Sequence, residues 1–137
     1  MSARSKARKR ALDILFAADV RQVPVADVLS EEAGRAASEP DRESSWLYAR
    51  EIIDGYIDHG VEIDEAIQTY ARGWTLERLP SVDRAILRVS VWELLYNPSV
   101  PPAAVMSEAV AMATELGSDD SPRFVNGLLA AVSATIS

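Results

Sequence analysis

The chain has 137 residues, 48% of them hydrophobic, which suffices for one domain with its own core. It holds no cysteine, excluding disulfides, thiolate catalysis and cysteine zinc sites, and its single histidine, His59, leaves little for a transition-metal site. The net charge of −7 is unevenly placed: the first ten residues carry Arg4, Lys6, Arg8, Lys9 and Arg10 and no acid, so the remaining nine bases face 21 acids and the rest of the chain carries −12. A basic tip on an acidic body is the asymmetry of a protein that meets two partners, one a polyanion and the other basic. No stretch approaches the roughly 20 apolar residues of a membrane span, and the opening residues are too basic for a secretory signal. A soluble, cytoplasmic chain without membrane contact is expected.

The hydrophobic period is helical nearly everywhere, so the expected class is all-α, with one domain over residues 1–137. The first helix is predicted over 2–19, with Ala7, Ala11, Leu12, Leu15 and Phe16 recurring at three and four. After Pro24 a second runs over 25–37 with Val28, Leu29 and Ala33 inward, and Pro40 with Asp41 marks the next break. A third helix carries Trp46, Leu47, Ala49, Ile53, Tyr56 and Ile57, with Gly60 as a left-handed cap and His59 beside it near the last carbonyls. The fourth is predicted over 63–72, followed by a turn between Gly73 and Pro80 that Trp74 pins. The fifth spans 81–96 with Ser81 as N-cap, and is apolar nearly all round, which belongs at the centre of a bundle. The sixth carries Val105, Met106, Ala109, Val110, Ala113 and Leu116 and closes at Gly117. The seventh opens at Ser121-Pro122 and packs Phe124, Val125, Leu128, Leu129 and Val132.

The start of the first helix works against its own stability. The helix dipole favours acids there, yet the segment has five bases and none. Arg4 with Arg8 and Lys6 with Arg10 also set like charges at i,i+4, each costing ~0.2–0.5 kcal/mol. An external polyanion accounts for the choice, because each base that meets a phosphate releases counterions. The cluster alone is equally compatible with a solvated N-terminus.

Two segments sharpen the reading. In 81–96, Asp83, Ala85, Leu87 and Arg88 lead to Glu93-Leu94. In 100–129, Val100-Pro101 is followed by Glu108-Ala109-Val110, then Asp120-Ser121 and Phe124-Val125-Asn126-Gly127. With Ala7, Arg8 and Phe16 near the start, this ordered set resembles the NusB antitermination family. Residues 20–68 match little beyond their helical period. The resemblance implies a compact seven-helix bundle that acts without catalysis or cofactor. It implies binding to the single-stranded boxA element of ribosomal RNA leaders together with NusE, a small-subunit ribosomal protein, so that the RNA polymerase elongation complex reads through terminators in ribosomal RNA operons. Some members form homodimers that cover the RNA face and others do not.

By resemblance the RNA-facing set is Arg4, Lys6, Arg8, Lys9 and Arg10 with Asp120, Ser121, Arg123 and Phe124. Asp83, with Arg84 beside it, lies near the protein partner. The residues themselves leave alternatives. Asp119, Asp120 and Ser121 also read as capping, although carboxylates can accept from exposed base amines on a single strand. Phe124 reads as core or as a stacking platform worth ~1–3 kcal/mol per base. Gly127, inside an apolar helix at a cost of ~1 kcal/mol, is expected to mark close helix approach, and Asn126 a buried amide. Trp46, Trp74 and Trp92 read as structural. No phosphate loop, dinucleotide fingerprint or zinc-protease motif is present, so an enzyme is not expected. The rival function is a protein-only helical adaptor or homodimerisation module. Replacing Arg8 and Arg10 by glutamate is expected to weaken RNA binding at nearly unchanged melting temperature.

Overall fold

A computed structural model describes residues 2–38 and 43–136, the side chain of Glu43 excepted. The predicted break at Pro40-Asp41 lies outside the described residues. Six α-helices are described: α1 (Ala3–Arg21), α2 (Val25–Ala37), α3 (Glu43–Tyr70), α4 (Ser81–Tyr96), α5 (Pro102–Leu116) and α6 (Ser121–Ala134). A 3₁₀ turn, Leu76–Arg78, sits between α3 and α4. No strand occurs among the described residues.

The expected apolar centre is α4, where every residue from Ala85 to Leu94 is buried. It packs against α1, α3, α5 and α6; α1 also lies across α3, α5 pairs with α6, and α2 covers α1 and α3. Toward α3 and α4, α1 presents a buried stripe of Ala7, Ala11, Leu12, Ile14, Leu15 and Ala18 at helical spacing. Ser2 caps α1 by accepting from the Ser5 amide at 3.1 Å, and Gln22 ends it in the left-handed region at φ 54°.

Six helices are counted rather than the seven expected because the predicted third and fourth run together as α3, across a kink beside the expected break. Gly60 does not take a left-handed cap, and the helix runs on through a kink at His59 (φ −122°, ψ 21°). Ile52, Ile63 and Ile67 are buried and Tyr56 partly buried, so the apolar stripe continues on both sides of the kink. His59 stacks on Tyr96, with ring centroids 3.9 Å apart, rather than serving a helix end. Ser81 is likewise the first helical residue of α4 and not its cap; the cap position is Pro80, with no side-chain bond. Among the described residues no helix is long and apolar enough to cross a membrane.

Candidate nucleic-acid interface

The basic start of α1 divides by helical angle. Arg8 stands one turn before Leu12 on the inward stripe and is only 4% exposed. Its Nε donates to Glu93 Oε1 at 2.8 Å and its Nη2 to Oε2 at 3.0 Å, a forked pair joining α1 to α4. The Tyr48 hydroxyl donates to the same Oε2 at 2.5 Å and accepts from Asn97 Nδ2 at 2.9 Å. Glu108 adds a third charge, 3.5 Å from Arg8 Nη1, and accepts from Ser5 Oγ at 2.6 Å. Burial pulls the Arg8 guanidinium's pKa down, but the hydrogen bond and field of Glu93 outweigh it and hold the pKa above its ordinary value. Burial and the bond to Glu93 push the Tyr48 phenol above its usual range. Arg8 therefore locks α1 to the core, and is removed from the exposed cations with which the sequence grouped it. Its spacing to Ala11 and Leu12 was the signal that could have separated it.

The other four face outward. Arg4 is exposed, its guanidinium 4.5 Å from the centre of the Tyr48 ring. Lys9 holds Asp13 at 2.7 and 2.9 Å. Lys6 is exposed and Arg10 half-exposed, and neither side chain has a hydrogen bond or ion pair among the described residues. Lys6, Lys9 and Arg10 border an open groove of about 520 Å³ between α1 and α2, with Ile14, Ala17 and Val28 as its apolar floor and Glu32 and Arg35 opposite.

The two residues expected near a protein partner are committed internally. Asp83 is 4% exposed and accepts from Ser121 Oγ at 2.7 Å. Ser121, 1% exposed, accepts in turn from the Ser118 amide at 3.0 Å. A Cβ on Gly117 would stand 2.5 Å from Ser121 Oγ and 2.9 Å from the Ala113 carbonyl oxygen, so only glycine permits this approach. Ser121 thus joins the start of α6 to the start of α4 and offers no free hydroxyl to RNA. Arg84 donates to Asp19 Oδ2 at 2.8 Å and to the carbonyls of Leu76 and Leu79 at 2.8 and 3.2 Å. Arg88 bridges Asp19 and Asp64 beside it, and the Tyr56 hydroxyl donates to Asp64 at 2.9 Å. In these positions Asp83 and Arg84 hold the helices together, each with its charged group bound inside the protein.

Around α6 the structure joins residues that the sequence treated separately. Asp120 and Arg123 are exposed and Phe124 is half-buried, on the rim of the core rather than inside it. Phe124 shares an open groove of about 440 Å³ with Arg72, Trp74, Arg123 and Gly127. Trp74 does not pin the connection; it is 53% exposed. Its turn begins with Arg72 at φ 50° and Gly73 at φ 90°, both left-handed, and a non-glycine residue there costs on the order of 1 kcal/mol. Asn126 is exposed rather than buried, and nothing lies within 4 Å of where a Gly127 Cβ would be, so close helix approach does not explain that glycine. Sequence reasoning missed Trp74 as a functional candidate. Its place in an irregular segment, outside every helical stripe, was the available sign.

The sequence profile of the NusB family matches residues 5–134. The chain belongs to the NusB family. The transcription antitermination protein NusB of Leifsonia xyli subsp. xyli is 67% identical over 132 residues, covering 96% of this chain and 92% of its own. That of Clavibacter michiganensis subsp. michiganensis is 55% identical over 135 residues, covering 98% of both. Among solved structures, NusB of T. maritima superposes with a TM-score of 0.81 at 28% identity, over 96% of this chain and 90% of that one. The NusB fold also appears in a crystal of antitermination factors NusB and NusE in complex with double-stranded RNA, at TM-score 0.84, 27% identity and 98% of both chains.

Proposed function

We propose that this chain is a transcription antitermination adaptor that binds the single-stranded boxA element of ribosomal RNA leaders together with NusE, and so supports readthrough by RNA polymerase in ribosomal RNA operons. The observation that carries the reading is the family match over 5–134, with a cluster of outward-facing bases at one end of an otherwise acidic body. The complex of a structural neighbour with NusE and RNA supports both partners. The contact set is Arg4, Lys6, Lys9 and Arg10 at the start of α1 for phosphates, with Asp120 and Phe124 at α6 for bases and Arg123 for the phosphate beside them. Arg8 and Ser121 position that set without touching the strand. NusE, as a basic protein, is drawn to the acidic remainder of the surface, and the site of action is the cytoplasm.

The test is binding to a boxA-like RNA and a scrambled control, with and without NusE, over a range of salt. The four outward bases of α1 with Arg123 predict a slope of log K against log salt between about −3 and −4, using about 0.7 per contact on single strands. A flat line, or equal affinity for the scrambled strand, refutes specific RNA binding and leaves the protein-only adaptor.

A further inference from the structure

We infer that the groove between the Arg72–Trp74 turn and α6 is a two-aromatic stacking site for unpaired nucleobases, in which Trp74 and Phe124 supply the flat surfaces and Arg72 and Arg123 meet the adjoining phosphates. The inference rests on the RNA reading above and adds Trp74, Arg72 and Gly127 to it.

Four observations converge there. Of the three tryptophans, Trp46 and Trp92 are 9% and 5% exposed, whereas Trp74 stands 53% in solvent. The backbone that carries it is anchored: Gln68 spans the turn, its Nε2 donating to the Trp74 carbonyl at 2.7 Å and its Oε1 accepting from the Leu76 amide at 2.7 Å. An indole presented to solvent from an anchored turn offers an open face on which a flat ligand stacks.

Arg72 and Arg123 line the same groove, and neither side chain has a hydrogen bond or ion pair among the described residues. No acid lines it. Two free guanidinium groups beside two aromatic rings suit an anionic strand carrying bases, and they would repel a basic protein. Gly127 completes the case. It lies one turn after Phe124 on the groove wall, where a side chain would meet nothing of the protein. The fold does not require glycine there, but an open groove does, because a longer side chain would occupy the space a base enters.

Tryptophan emission gives a direct readout, since only Trp74 of the three is accessible. Three probes are titrated: a short single-stranded RNA, the same strand with abasic sugars, and the strand annealed into a duplex. The intact single strand is expected to quench the exposed emission, the abasic strand to bind without that quenching, and the duplex to quench little. Trp74→Phe should abolish the quenching and keep affinity within a few-fold. Trp74→Ala should weaken single-strand binding roughly 5- to 150-fold per folded molecule, the equivalent of one lost stacked base.

Gly127→Leu separates the groove from the fold. It should raise Tm by a few degrees, because glycine is a poor helix residue, and still weaken single-strand binding. Binding by the wild type without quenching of Trp74, or unchanged affinity in both Trp74→Ala and Gly127→Leu, overturns the stacking site and leaves RNA binding intact. Failure of the wild type to bind any of the strands overturns the RNA reading and the stacking site together.

Discussion

Replacing Arg8 by methionine tests whether this arginine belongs to the core or to the RNA surface. The Arg8–Glu93 side chains are 5% and 1% exposed, so removing the guanidinium leaves a carboxylate in the interior with only the Tyr48 hydroxyl against it. Orphaning one member of a buried ion pair costs about 3–5 kcal/mol. With an unfolding entropy near 2.1 cal/mol/K per residue, a chain of this length loses roughly 3.5 °C of Tm per kcal/mol, or about 10–17 °C in all. Thermal melts followed by circular dichroism measure it. Adding Glu93→Leu removes the stranded charge and should recover most of the loss, short of the acceptor that Tyr48 then lacks. RNA affinity per folded molecule should change little in either variant. An Arg8→Met protein that melts within about 3 °C of wild type while losing RNA affinity would refute the assignment and return Arg8 to the binding surface. The same geometry corrects the joint Arg8 and Arg10 replacement by glutamate. At position 8 it would set two carboxylates face to face in the interior and unfold the chain, so Arg10→Glu alone is the test of the outward cations.

Two further predictions concern the other buried groups. Ser121→Ala removes the donor to Asp83 and the acceptor of the Ser118 amide, and should destabilise by about 1–3 kcal/mol in urea unfolding, with Asp83→Asn milder because an amide needs no counter-charge. Tyr48 and Tyr56 are both held protonated above the ordinary phenol range, Tyr48 by burial and Glu93, Tyr56 by burial and Asp64 against the opposing pull of Arg88. The unfolded chain therefore releases those protons first. Stability should be full below about pH 10 and fall as pH climbs past it, with Tyr56→Phe flattening the fall; melts at rising pH and the ultraviolet phenolate signal check this.

The helical elements were legible because their signal is periodic and local. The ranges of α2 and α4 follow directly from apolar spacing and flanking prolines. The junction in α3 shows the limit: Gly60 reads as a left-handed stop, whereas the backbone only kinks at His59 and helix resumes, with Ile52 before it and Ile63 and Ile67 after it all in the core. The candidate site divides in the same way. A count of bases finds the end of α1, whereas the angle of each residue around the helix decides which base faces water. Asp83 and Ser121 lie 38 positions apart, and their bond across α4 and α6 has no local trace. Trp74 and Phe124 are farther apart still, and meet only because α3 and α6 pack together.

How a chain with net charge −7 can attract a polyanion is answered by which charges the fold leaves free. At physiological salt a charge is felt over about 8 Å, so the total matters less than the local inventory. Arg8, Arg21, Arg35, Arg50, Arg84 and Arg88 are engaged with acids, and Lys9 only with the exposed Asp13, a surface pair that a phosphate displaces at little cost. A phosphate approaching Arg84 or Arg88 would have to displace Asp19 or Asp64 from contacts of 2.8–3.3 Å, giving back what it gained. Arg4 rests on a ring, and Lys6, Arg10, Arg72, Arg78 and Arg123 carry no acid partner among the described residues. Those six lie at the start of α1, beside the Trp74–Phe124 groove and, for Arg78, in the 3₁₀ turn that follows Trp74. The outer side of α3 is the reverse, with exposed Glu51, Asp58, Glu62 and Glu65. On the proposed function, a strand of RNA would be excluded from most of the surface and admitted where cations are uncompensated, its place set by charge before any base is read.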